Sequence, residues 1–226
     1  MITILIPFYN GIEYLPAAIN SIVSQTFQDW KLLIGINGHG DTNGDMVTKV
    51  KELCNDSRVS IIVQPTSINN KSKSLNNLIT YVTTEWIALL DADDIWLPTK
   101  LEKQVQVLQQ TDYEVIGTQC EYFGERSGSP TLPYGLIPRG FTLQFNPIIN
   151  SSVLFKTKYA HWNELLSTEG YEDYELWLQL DLASVKMFNI SEVLVRHRLY
   201  AQSFFNTKTA DTTSLKQKYL VLFNTK

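Results

Sequence analysis

The sequence predicts an α/β fold, a mostly parallel sheet with helices on both faces, and three observations carry that expectation. Short apolar runs alternate with segments of helical period through the first half of the chain, the pattern of a parallel sheet built from crossover units. One run, Trp86-Ile87-Ala88-Leu89-Leu90, reads as a buried strand and ends in Asp91-Ala92-Asp93-Asp94. Carboxylates therefore emerge together at a strand's carboxyl end, where open α/β sheets bind ligands. At 226 residues the chain is long enough to bury such a core without disulfides or structural metals.

Ile2 to Ile6 forms the first strand, and Pro7 stops it. Ile12, Leu15, Ile19, Ile22 and Val23 then recur at helical spacing, with Pro16 tolerated only in that helix's first turn. Lys31 to Ile36 is the second strand, residues 37 to 44 are a loop of turn formers, and a helix runs on to about Cys54. Val59 to Val63 is the third strand, and a helix from about Lys71 to Val82 leads to the acidic strand. Pro98 opens a helix carrying Leu101, Val105 and Leu108, and Val115 to Cys120 begins another strand. Residues 124 to 147 hold Gly and Pro with little periodicity, a long loop of the kind that covers binding sites. A strand around Ser152 to Phe155 follows, then a largely apolar helix from Glu172 to Leu182 headed by two carboxylates, and a terminal helix over 210 to 223. No repeat or linker splits the chain, so one domain over 1–226 is expected, with halves at 1–120 and 121–205 and a helical tail at 206–226.

Composition narrows the partners. Nineteen basic residues against 23 acidic ones give a net charge of -4 with no basic run, which argues against nucleic acid. Cys54 and Cys120 lack partners at zinc spacing and read as reduced thiols, consistent with a cytoplasmic setting. The N-terminal apolar run has no basic residue before it and meets Pro7 at once, so it is a strand and not a targeting segment. No stretch approaches the roughly 18 apolar residues of a membrane span, while peripheral association with a membrane stays compatible with the sequence. Oligomeric state is not legible. The acidic turn itself has two readings: clustered carboxylate oxygens suit a hard divalent cation that holds a phosphate, and a solvated turn capping a helix is the plainer one.

The order of segments resembles the family 2 glycosyltransferases over roughly residues 2 to 205. The resemblance rests on Ile4-Leu5-Ile6-Pro7-Phe8-Tyr9-Asn10 with Tyr14-Leu15, on Ser21-Ile22-Val23-Ser24-Gln25-Thr26, and on Leu89-Leu90-Asp91-Ala92-Asp93-Asp94 with Trp96-Leu97-Pro98 and Lys100-Leu101-Glu102. Glu172-Asp173-Tyr174-Glu175-Leu176-Trp177 and Leu194-Val195-Arg196-His197-Arg198 complete it. A lone DxD is common by chance; five segments in order and spacing are specific. The resemblance implies a GT-A fold, a single Rossmann-like domain whose first half binds the nucleotide-sugar and whose second half binds acceptor and carries the base. It also implies an inverting, metal-dependent transfer of one sugar from a nucleoside-diphosphate sugar, with a UDP-sugar as first candidate, to a hydroxyl of a glycan or other glycoconjugate.

By the same resemblance, Asp93 coordinates Mn2+ or Mg2+ directly, Asp91 sits nearer the ribose or reaches the metal through water, and Ala92 lies between them in the donor site. Tyr200 stands where the family has a histidine ligand, so either water fills the metal shell or His197 is recruited to it, a packed or hydrogen-bonded role being the plainer reading of His197. Pro7, Phe8, Tyr9, Asn10 and Glu13 line the nucleotide at the first strand's end. Asn37 and Gly38 replace an acidic pair that reads the base, and Asn37 keeps hydrogen-bonding capacity there. Asn76 matches a family asparagine, Leu75 replaces an arginine, and Lys73 supplies the cation for the diphosphate, with Arg198 facing it as well. Asp173 is the base that takes the acceptor proton, with Glu172 orienting acceptor or backbone. Two other classes share part of this pattern. A haloacid dehalogenase-type phosphatase also places DxD after a strand, but near the chain start and with Thr or Val where this chain has Ile95. A non-catalytic nucleotide-sugar-binding scaffold explains one acidic site but not both.

Overall fold

The computed structural model describes residues 1–38, 44–165, 170–200 and 212–225. A nine-stranded mixed sheet organises it. Strand β1 (Ile2–Phe8) lies between β2 (Trp30–Ile36) and β4 (Trp86–Leu89), and β2 pairs in turn with β3 (Val59–Val63), all in parallel. Beyond β4 the direction changes. Strand β8 (Leu154–Lys156) runs antiparallel to both β4 and β6 (Val115–Gly124). Strand β9 (Met187–Leu199) pairs β6 in parallel and carries β5 (Ile95–Trp96) and β7 (Gly135–Ile137) antiparallel.

Period-2 alternation sorts the strands' side chains onto two faces. Ile2, Ile4, Ile6 and Phe8 of β1 bury one way, against Leu15, Ile19 and Ile22 of α1 (Leu15–Val23), Val47 and Val50 of α2 (Asp45–Glu52) and Leu101 of α4 (Lys100–Gln110). Leu5 and Leu33 bury the other way, against Leu75 and Leu78 of α3 (Lys71–Ile79) and Leu176, Trp177 and Leu180 of α5 (Glu172–Leu182). Each such side chain, fully buried, stabilises the fold by about 1.5–3 kcal/mol. Helices on both faces leave the strands' carboxyl ends as the open edge. That edge is where the acidic turn emerges.

Three features depart from the sequence expectation or lie beyond it. Strand β9 was not expected as a strand: Ser191, Glu192 and Val193 are exposed in its middle, and its register with β6 shifts at Thr118 and Gln119, so no continuous alternation marks it. The 124–147 stretch contains β7 and a 3-10 turn over Phe141–Leu143. Buried Asp181 orders that turn, accepting from the Gly140 N–H at 2.9 and 3.0 Å and from the Thr142 hydroxyl at 2.6 Å. Helix α6 (Thr213–Asn224) packs Leu215 and Tyr219 on Tyr174 and Leu178 of α5. The expected boundary at 205/206, the expected start of the tail helix at 210, and most of the 37–44 loop lie outside the described residues. Among the described residues no helix is long and apolar enough to cross a membrane.

Candidate active site

The first acidic element continues β4. The Asp94 N–H closes the turn on the Asp91 carbonyl at 3.1 Å. Asp94 is wholly buried, and its carboxylate accepts from the Ser151 hydroxyl at 2.5 Å and the Arg198 backbone N–H at 2.8 Å, with His197 Nδ1 2.9 Å away. Burial disfavours a charged imidazole, but Asp94 outweighs it and raises the His197 pKa to about 9. His197 is thus the counter-ion of Asp94 in this arrangement. Asp91 accepts from Asn150 Nδ2 at 3.1 and 3.2 Å, and the Lys71 ammonium stands 2.6 Å from its Oδ1. Burial raises the Asp91 pKa, yet Lys71 more than offsets this and holds it below the usual carboxylate range. Asp93 is the opposite case. Burial, then Asp94 and Asp91, push it up to about 7. The Tyr200 hydroxyl bonds its carboxyl group, and Arg198 Nε donates to its carbonyl at 3.0 Å.

The second element sits in the first turn of α5. Glu172 accepts from the Gly170 N–H at 2.7 Å. Asp173 accepts from its neighbour's N–H, that of Tyr174, at 2.7 Å and from Asn146 Nδ2 at 3.1 Å. Burial first and Glu172 second push Asp173 up to about 6, against the pull of Lys71 and the two donors. Lys71 also stands 3.6 Å from Glu172 Oε1. One ammonium therefore touches both acidic elements. Its own pKa is raised, because Asp91 and Glu172 outweigh the burial that opposes its charge.

The other expected residues divide between rim and scaffold. Tyr9, Asn10 and Glu13 are exposed and Pro7 half-buried where β1 meets α1. The Tyr9 ring lies on Gly38, whose φ of +77 and lack of a Cβ permit the approach; a Cβ there would stand 2.6 Å from the ring. Asn37 is buried, and its Oδ1 has no hydrogen-bond partner among the described residues. Phe8 is wholly buried in the core, so its side chain packs and does not face the rim. Ala92 also packs against that core. Lys73 turns its ammonium to Asn69 Oδ1 at 3.2 Å, away from the carboxylates. Asn76 clamps the distant Trp162 backbone, donating to its carbonyl at 2.8 Å and accepting from its N–H at 2.9 Å. The Arg198 guanidinium is sandwiched between the rings of Tyr14 at 4.4 Å and Phe123 at 4.3 Å.

Sequence reasoning favours Lys73 over Lys71 and gives no sign of Asn146, Asn150 or Ser151. A signal existed only for Lys71, as the first residue of a helix that starts at the sheet's carboxyl edge. Asn150 and Ser151 sit in a 3-10 turn before β8 and carry no motif. Among the described residues no three His, Cys, Asp or Glu side chains form a ready-made metal cluster.

Comparison with known proteins agrees with this geometry. Residues 3–164 match the family described as Glycosyl transferase family 2. The chain is 29% identical over 221 residues to the O-antigen biosynthesis glycosyltransferase WbnJ of Escherichia coli, covering 90% of this chain and 81% of that protein. It shares its fold with S. aureus TarS 1-349 in complex with UDP-GlcNAc, with a TM-score of 0.73 at 14% identity over 99% of this chain and 65% of that one. The mannosyltransferase PcManGT from Pyrobaculum calidifontis, in complex with GDP-Man and Mn2+, superposes with a TM-score of 0.64 at 15% identity over 98% of this chain and 62% of that one. The shared architecture is the GT-A fold. With the family match covering most of its length, the chain belongs to glycosyl transferase family 2 and is a glycosyltransferase.

Proposed function

We propose that this glycosyltransferase moves one sugar from a nucleoside-diphosphate sugar, a UDP-sugar first, to a hydroxyl of a glycan or other glycoconjugate, with inversion and with help from a divalent cation. The observation that carries the reading is the pair of acidic elements that meet on Lys71, with Asp91 at 2.6 Å and Glu172 at 3.6 Å. One element has the residues to hold a departing diphosphate, the other a base.

The donor set fits a hard cation. Mg2+ and Mn2+ take one or two carboxylates plus substrate phosphates and keep waters, so a full protein cage is not required. Asp93, whose pKa is pushed up to about 7 by burial first and by Asp94 and Asp91 second, is the carboxylate that an added positive charge relieves most. Asp93 would hold the cation, with Asp91 beside it. Bound there, the cation supplies charge stabilisation to the leaving diphosphate, worth several kcal/mol. Arg198, fixed by its two rings, stands beside the same turn. The unpartnered Asn37 Oδ1 offers an acceptor to a base N–H at the rim, since buried polar atoms demand partners.

In the transfer step the acceptor oxygen bonds the anomeric carbon as the bond from that carbon to the diphosphate oxygen breaks. The hydroxyl proton passes to the Asp173 carboxylate, and the diphosphate departs with the electron pair. A proton affinity raised to about 6 suits a base that is ionised at neutral pH yet still accepts a proton. A single base and a single displacement give inversion. The complexes of TarS with UDP-GlcNAc and of PcManGT with GDP-Man and Mn2+ support the donor class and the cation. Calorimetric titration of UDP, GDP and UDP-glucose tests the reading, with UDP expected to bind in Mn2+ and to weaken at least about tenfold in EDTA. A nucleotide panel with no metal-dependent binding sinks it.

A further inference from the structure

We infer that Lys71 reads the sugar of the donor, its ammonium binding a hydroxyl of the transferred ring and so contributing to donor choice. The inference rests on the transfer reading above and adds a residue that the DxD turn and the base helix do not explain. It begins with the helix start. Asn70 caps α3, its Oδ1 accepting from the Lys73 N–H at 2.8 Å, so the first turn has a fixed orientation. Lys71 is the first helical residue, at the sheet's carboxyl edge, and its side chain reaches back over that edge between Asp91 and Glu172.

An ammonium has three protons to donate. Asp91, at 2.6 Å, takes one, while Glu172, at 3.6 Å, is beyond hydrogen-bond length. No other hydrogen-bond partner of the Lys71 ammonium is found among the described residues, and Asn70, Lys71, Ser72, Leu165 and Glu172 line a small cavity at this helix start. The position fits a sugar. The anomeric carbon must lie between the diphosphate, held at the Asp91–Asp94 turn, and the base at Asp173, and the ammonium spans the two elements that carry them.

Charge decides which part of the donor it meets. A phosphate oxygen approaching this ammonium also approaches the carboxylates of Asp91 and Glu172 and is repelled by both. A hydroxyl does better, because it accepts from the ammonium and donates to a flanking carboxylate in one placement. Sites built to bind a substrate hydroxyl discriminate strongly against analogues that lack or misplace it, since the buried polar groups are then left unpaired. Lys71 is thus assigned to the ring hydroxyls, and the diphosphate is left to the Asp93 side of the cleft.

The test compares donors with and without the sugar. UDP, UDP-glucose, UDP-galactose and UDP-N-acetylglucosamine are titrated in Mn2+ into the wild-type chain, Lys71→Gln and Lys71→Arg, with melting curves confirming that each is folded. Both variants should bind UDP within about threefold of wild type. Lys71→Gln should lose at least about tenfold in affinity for the preferred UDP-sugar, with the spread among the three sugars compressed, and Lys71→Arg should recover part of the loss. Should Lys71→Gln fail to fold, Lys71→Arg carries the test, with unchanged UDP affinity and an altered ranking of the three sugars expected. Equal losses for UDP and UDP-sugar, or no change in either, overturn the assignment while leaving the transferase reading intact. Wild-type protein that binds none of the four ligands overturns both.

Discussion

The Asp91–Asp94 turn and the Glu172-Asp173 helix start contain the same chemical group, and the fold uses it in opposite ways. In the turn, Asp94 is consumed by Ser151, His197 and the Arg198 backbone, and Asp91 by Asn150 and Lys71. Asp93, bonded by the Tyr200 hydroxyl, is under burial first and the charges of Asp94 and Asp91 second, which together raise its proton affinity to about 7. At the helix start, Glu172 supplies the crowding and Asp173 keeps only two donors, Asn146 and the Tyr174 N–H, against burial. The first arrangement invites a cation and the second a proton. Neighbours rather than residue type set the difference.

The sharpest way to break this contrast is Asp173→Asn, which keeps the shape of the side chain but removes the carboxylate proposed as the base. Loss of kcat by roughly 10²–10⁴-fold with an unchanged Kd for UDP is the expected outcome. The wild-type pH profile gives the matching test. In the proposed role the ionised carboxylate is the active form, and its pKa in the free protein is raised to about 6, so kcat/KM should fall tenfold per pH unit as pH drops below that value and level off above it. A profile flat to about pH 5 removes Asp173 from the role.

The next effect concerns the turn. Asp93→Asn should lower kcat/KM by about 10²–10³-fold, the usual cost of removing one charge-stabilising group. It should also raise the melting temperature without metal. The Asp93 pKa is raised from 3.8 to about 7, so its ionisation disfavours the folded state increasingly as pH climbs between those values. The variant's advantage should therefore be absent near pH 4 and full above about pH 7, at roughly 2–4 °C for each kcal/mol relieved. Differential scanning calorimetry across that range checks it. A variant that melts with or below wild type at about pH 8 shows that Asp93 is not the crowded carboxylate.

The sequence exposed these elements unequally, for physical reasons. The acidic turn was legible because four residues in a row follow an apolar strand, and contiguity needs no fold to create it. Its partners Asn150 and Ser151 were not, because they sit in a 3-10 turn before β8 and carry no motif, while His197 was reached only as a metal candidate through the family resemblance and bonds Asp94. Lys71 and Lys73 show the limit within one helix. Two helical residues apart is about 200° of rotation, so one ammonium enters the cleft and the other meets Asn69, and only the packing of Leu75 and Leu78 decides which. The core faces of β1 and β2, by contrast, followed from alternation alone.

The smallest prediction asks whether the base helix is tuned from its far side. Glu175, two residues beyond Asp173, is buried against α6: Lys218 stands 3.0 Å and the Tyr219 hydroxyl 3.5 Å from its Oε1, and Asn163 Nδ2 donates to Oε2 at 2.9 Å. Lys218 is 56% exposed, so solvent screens the pair and its contribution is at most about 1 kcal/mol. The raised proton affinity of Asp173 comes chiefly from burial and Glu172, against Lys71, Asn146 and the Tyr174 N–H. Lys218→Met should lower the melting temperature by no more than about 4 °C. It should change kcat less than about twofold and leave the acid limb of the pH profile in place. If the limb moves, the C-terminal helix sets the proton affinity of the base, and the two acidic elements differ by remote control and not by their immediate neighbours.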